Sequence, residues 1–144
     1  MKINIAIGAI VLMGGMYPAL HAQPTRTVWD GVYSEAQAAR GAALYDKECG
    51  SCHGPGGNGG SMAPALVGPA FSANYDGQTL ADLFGRNRNS MPPGKEGQLS
   101  LEVNADITAY MLQCNKFPSG EKDMPSQSMM LKQIQYLAEK PATP

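Results

Sequence analysis

Residues 49–53 read Cys49-Gly50-Ser51-Cys52-His53, and no other stretch of the chain constrains its chemistry as tightly. Two thiols separated by two residues can add across the two vinyl groups of one haem, and the adjoining histidine then lands beneath the iron. Attachment at the edge of the macrocycle lets a short helix end orient the imidazole without a large surrounding pocket. The expected cofactor is therefore a single haem c, covalently bound through Cys49 and Cys52, with His53 as an iron ligand.

Three other chemistries use parts of this pattern. A C-x-x-C at a helix start also serves thiol-disulfide exchange, but that motif wants a βαβ setting, and the chain has no strand of convincing alternation. Cys49, Cys52, His53 and Cys114 are the right ligand types for zinc. Neighbouring Cys52 and His53 would be strained as joint ligands, however, and a second paired half-motif is absent. An ordinary structural disulfide leaves the position of His53 without a purpose.

The chain is 144 residues long, room for one ordinary domain with a core of its own. Met1-Lys2 supplies a positive start and Ile3 to Met16 an apolar run, followed by Pro18 and the small Ala22, the pattern of a signal peptide over residues 1–22. The run is shorter than the roughly 20 apolar residues that a membrane span needs, so no anchor is expected after cleavage. The cleaved bond stays open, because Leu20 stands where a smaller residue is usual. Export to the periplasm agrees with covalent haem attachment, which is made outside the bacterial cytoplasm.

Of 11 basic and 12 acidic side chains, cleavage removes only Lys2, leaving 10 against 12 and a formal charge of −2. Such a balance offers nothing to nucleic acid or to an anionic membrane. It also removes His21, so His53 is the sole imidazole of the mature chain.

Helical signals flank the motif. Ser34 caps a helix expected from Glu35 to Glu48, with Gln37 completing a capping box and Gly41 marking a close approach by another element. Gly54 to Gly60 is a loop. Thr79 and Asp82 cap a second, short helix with Leu80, Leu83 and Phe84 at helical spacing and with Arg86 and Arg88, candidates for the haem propionates, near its exit. Asn89 to Gly97 is again loop. Ser100 starts the last clear helix, where Val103, Ile107, Tyr110, Met111 and Cys114 share a core face. A polar tail runs from Ser119 to Pro144, with a weak amphipathic stretch from Met129 to Leu137. The organisation expected is a signal peptide (1–22), one all-α domain (23–118) of three to five helices with long loops, and the tail (119–144).

An electron-carrying haem iron generally wants a second axial ligand, and with no further histidine the natural donor is a methionine thioether. Met91 is the candidate that context favours, in a loop stiffened by Pro92 and Pro93 and 38 residues beyond His53. Met62 and Met124 stay open. Met111, on a core face, reads as packing filler.

These residues together resemble a class I cytochrome c over about Trp29 to Pro118. The likeness rests on Cys49 to His53, Gly41 and Tyr45, Pro64-Ala65-Leu66, Met91-Pro92, and Tyr110. It implies a cytochrome c fold whose first and last helices cross at Gly41 and Tyr45 against Ile107 and Tyr110, with the carbonyl of Pro64 accepting the proton of the His53 imidazole. The segments Val28 to Tyr33 and Asn115 to Gly120 are similar to cytochrome domains found with periplasmic quinoprotein dehydrogenases. That likeness implies a dehydrogenase as electron donor and an oxidase or another cytochrome as acceptor. Lysine is sparse beside the strongly basic members of the family. Cys114 is left without an intrachain mate, either a buried free thiol or a link between two chains.

The expected role is a one-electron shuttle rather than an enzyme. A haem-based sensor or binder of small ligands, in which Met91 is displaced, is the alternative. A peroxidase-like enzyme would lack a distal histidine for acid-base work.

Overall fold

The computed structural model describes residues 26–142; the expected signal peptide lies outside them. Elements follow the order β1 (Arg26–Thr27), α1 (Glu35–Glu48), α2 (Gly50–His53), α3 (Pro69–Tyr75), α4 (Leu80–Ser90), α5 (Leu101–Cys114), α6 (Ser128–Leu131) and β2 (Ile134–Gln135). A 3-10 turn, Pro55–Gly57, follows α2. The fold is mostly helical, as the sequence implies, with six α-helices among the described residues where three to five were expected. The additional ones are a single turn or two, too short to leave an apolar period.

α1 starts where Ser34 Oγ accepts from Gln37 N at 3.0 Å, which satisfies one of the orphan donors of its first turn. It crosses α5 at Gly41. A β-carbon there would stand 1.9 Å from the carbonyl oxygen of Asp106, so only a glycine lets the two backbones come this close. One turn on, the rings of Tyr45 and Tyr110 meet at 5.2 Å, closing the crossing. α5 is capped in the same way, Ser100 Oγ accepting from Val103 N at 3.2 Å. Its core-facing surface is broader than the expected stripe, since Asn104, Ala105, Thr108, Ala109 and Leu112 are buried along with Ile107 and Met111. Val103, Tyr110 and Cys114 are only half-buried.

Residues 119–142 do not behave as a loose polar tail. Met124, Leu131, Ile134 and Tyr136 are all buried in the main core. The side-chain amide of Gln37 pairs with both backbone groups of Met124, Nε2 donating to its carbonyl at 3.1 Å and Oε1 accepting from its N–H at 2.6 Å. Trp29 meets Phe117 edge-on at 4.9 Å, and Phe117 meets Tyr136 at 5.1 Å. β1 and β2 pair in parallel, Arg26 opposite Ile134 and Thr27 opposite Gln135. Sequence missed this return because its apolar residues are unevenly spaced and many of its partners lie far away in the chain, such as Gln37 for Met124 and Tyr75 for Tyr136.

Candidate functional site

Cys49 ends α1, its N–H donating to Tyr45 O at 2.8 Å, and α2 begins at once. α2 is one turn long and stops at Gly54, whose φ of +73° is natural only to glycine. This brief turn holds Cys49, Cys52 and His53 on one wall of a cavity of about 550 Å³, within the usual size of a cofactor cleft. His53 is buried, and its Nδ1 donates to the carbonyl of Pro64 at 2.8 Å. Nε2 is then the ring nitrogen with a free lone pair.

The loop that presents Pro64 is held by Gly59 N donating to His53 O at 2.7 Å and Leu66 N donating to Gly57 O at 2.7 Å. Leu66, Val67, Phe71, Leu99 and Ile107 make the remaining surface largely apolar, which suits a flat hydrophobic ring system.

Met62, Met91 and Met111 all line this cavity, and Met124 does not. Met91 follows α4 as its C-cap, its N–H bonded to Asn87 O. Met62 is 70% exposed at the rim. Met111 is buried, and its sulfur accepts from Asn87 Nδ2 at 3.2 Å, so it contributes more than filling. Arg86 reaches the cavity wall, whereas Arg88 does not.

Sequence reasoning also missed α3, which brings Ala70, Phe71 and Tyr75 to the cavity. The available signal was Gly68-Pro69, a proline at the first position of a helix. Glu48, also on the wall, gives no sign in sequence beyond adjoining Cys49.

Burial, then Glu48 and then Cys52, push the Cys49 thiol up to about 11. A thiol held protonated is a poor nucleophile near neutrality, the opposite of what thiol-disulfide exchange requires. Among the described residues no group of three or more His, Cys, Asp and Glu side chains could hold a bare metal ion. The donors present therefore fit a haem: two cysteines for its edge, one free imidazole nitrogen for its iron, and aliphatic walls for its faces.

A helical chain with paired cysteines and a histidine on such a cavity is a c-type cytochrome domain. The family described as cytochrome c oxidase, cbb3-type, subunit III matches residues 36–111, more than half of the sequence, and the chain belongs to that family. It is accordingly an electron-transfer protein with covalently bound haem. The cytochrome c subunit of the cytochrome bc1 complex of Mycobacterium tuberculosis is 30% identical over 106 residues, 74% of this chain and 38% of that one. The corresponding subunit of Corynebacterium diphtheriae is 30% identical over 90 residues, 62% of this chain and 31% of that one. The chain thus spans less than half the length of these curated relatives. The crystal structure of the sulfane dehydrogenase SoxCD from Paracoccus pantotrophus superposes with a TM-score of 0.50 at 22% identity, covering 94% of this chain and 68% of that one, a likeness of fold. Among the described residues no helix is long and apolar enough to cross a membrane.

Proposed function

We propose that the chain is a periplasmic one-electron shuttle whose single haem, joined to Cys49 and Cys52, is ligated by His53 and Met91. The reading rests above all on His53 and Met91 lining one cavity, with the Nδ1 of His53 engaged by Pro64 and its Nε2 free. That hydrogen bond fixes the tautomer and makes the imidazole a stronger donor. Met111 is the weaker candidate for the second ligand because its sulfur is engaged by Asn87, and Met124 lies outside the cavity. When bound, the haem supplies a reversible one-electron couple, and a thioether ligand sets it higher than a second nitrogen would.

Met62, Ala63, Pro92 and Pro93 give part of the cavity lining an uncharged surface. A donor or acceptor would meet this surface through a small, transient contact of the kind redox partners use. The proposed donor is a periplasmic dehydrogenase and the acceptor an oxidase or a second cytochrome; that the similar relatives are cytochrome c subunits of the cytochrome bc1 complex supports a redox partner. Half-buried Cys114 would allow a disulfide-linked pair of chains, visible on a non-reducing gel.

The decisive experiment joins a pyridine haemochrome assay and the intact mass of exported protein to spectra of Met91→Ala. One haem per chain is expected, and the variant should lose the far-red sulfur-to-iron band of the oxidised form. Persistence of that band would assign the ligand elsewhere. Carbon monoxide should barely alter the reduced spectrum; ready binding would favour the sensor reading.

A further inference from the structure

The segment from Met91 to Gln98 is tied mainly to itself. Lys95 N donates to Pro92 O at 2.9 Å, Gln98 N to Lys95 O at 3.0 Å, and Gly97 N reaches back to Arg88 O at 2.8 Å. Gly94 N donates to the Glu96 carboxylate at 2.9 Å. Side-chain packing adds little at Gly94 and Gly97, since a β-carbon at either would meet nothing within 4 Å. Among the described residues, one polar contact joins this segment to a part of the chain beyond α4: Lys95 Nζ donates to Glu48 Oε2 at 3.1 Å.

That contact ties a residue of the cavity wall to the segment that supplies another part of the wall. Glu48 is the last residue of α1, adjoins Cys49 and forms part of the cavity wall, while Met91, Pro92 and Pro93 form another part. The Glu48 side chain is only 9% exposed and that of Lys95 is 56% exposed, so water screens the pair only from the lysine side. Lys47 lies 3.5 Å from the other carboxylate oxygen, a second cation that is itself largely exposed.

We infer that the Glu48–Lys95 ion pair is a clasp that keeps the Met91 segment closed against the haem, making both residues positioning residues for the Met91 sulfur. The inference builds on the reading of Met91 as an iron ligand. A segment joined to α1 by one ion pair should leave the cavity wall more readily once that pair is broken. The rate at which the sulfur leaves the iron should then follow the strength of that pair.

Imidazole, added to the oxidised holoprotein, reports this opening by taking the place of the departing sulfur. Lys95→Met and Glu48→Gln should each bind it about three- to fivefold more tightly than the parent, the range open to one partly screened ion pair. The double exchange Glu48→Lys with Lys95→Glu should restore parental affinity, which a merely structural role for either side chain would not predict. Should Glu48→Gln fail to take up haem, Lys95→Met decides alone. Single variants that titrate like the parent, or a double exchange as labile as the singles, would overturn the clasp. Met91→Ala separates the two levels: retention of the far-red band removes the ligand assignment itself, whereas its loss together with parental behaviour of Lys95→Met removes only the clasp.

Discussion

The Nδ1 of His53 donates to the carbonyl oxygen of Pro64 across 2.8 Å, and the position of that carbonyl depends on a glycine five residues earlier. Gly59 has φ of +82°, and a β-carbon on it would lie 2.7 Å from Ala65 N and 3.2 Å from Pro64 C. Gly59→Ala should therefore push the Pro64–Ala65 segment away and weaken the bond. With His53 as the proposed iron ligand, an imidazole that loses this acceptor would donate less to ferric iron, and the midpoint potential of the holoprotein should rise. Potentiometric titration tests this, and an unchanged potential in a destabilised variant would show that the carbonyl does not tune the ligand.

The crossing of α1 and α5 makes a sharper demand. Since a β-carbon at Gly41 would overlap the Asp106 carbonyl, Gly41→Ala must separate the helices or bend one of them. Overpacking of this kind costs about 1–3 kcal/mol and sometimes more. Thermal melts should show the loss in both haem-loaded and haem-free protein, and an unaltered melting temperature would mean that the crossing is looser than described.

Gln37 supports the returning C-terminal segment. The residue is 2% exposed, and its side-chain amide satisfies the N–H and the carbonyl of Met124, itself buried. Gln37→Ala would leave two buried backbone groups unpaired, at a cost of about 2–4 kcal/mol. Denaturant unfolding should show a lower midpoint, and proteolysis should begin between residues 119 and 131. Cleavage confined to other loops would count against this role.

These contacts also mark where the sequence was readable. The bounds of α1 and the start of α5 could be read because Ser34 and Ser100 announce them locally, and Cys49 to His53 carry their chemistry within five residues. α4 runs to Ser90, slightly past the expected start of the loop, because Asn89 and Ser90 are poor helix formers that the capped helix nonetheless absorbs. What escaped notice is nonlocal. The contact of Tyr75 with Tyr136, the pairing of Gln37 with Met124 and the bridge from Glu48 to Lys95 each join positions more than 40 residues apart, and no periodicity records them. The same holds within the cavity. Loop context favoured Met91 as a candidate, while the engagement of Met111 by Asn87 depends on how α4 meets α5.

Alkaline pH should unfold the protein through its buried phenols. Tyr33 donates to Phe117 O at 2.7 Å and Tyr45 to Gly54 O at 2.9 Å. Burial raises both from 10 to about 12, helped at Tyr33 by the negative charge of Glu35. Their folded values lie above those of the unfolded chain, so the stability linked to them is fully present below pH 10. It is lost as pH rises from there through 12, because the unfolded chain releases these protons first. Phenolate absorbance and far-ultraviolet circular dichroism followed together should reveal tyrosines that ionise late and in step with helix loss. Tyr33→Phe should be less stable at neutral pH, having lost the bond to Phe117, yet its stability should fall less steeply with alkali. Ionisation of all tyrosines near pH 10 with the helices intact would show that the phenols are not held neutral by the fold.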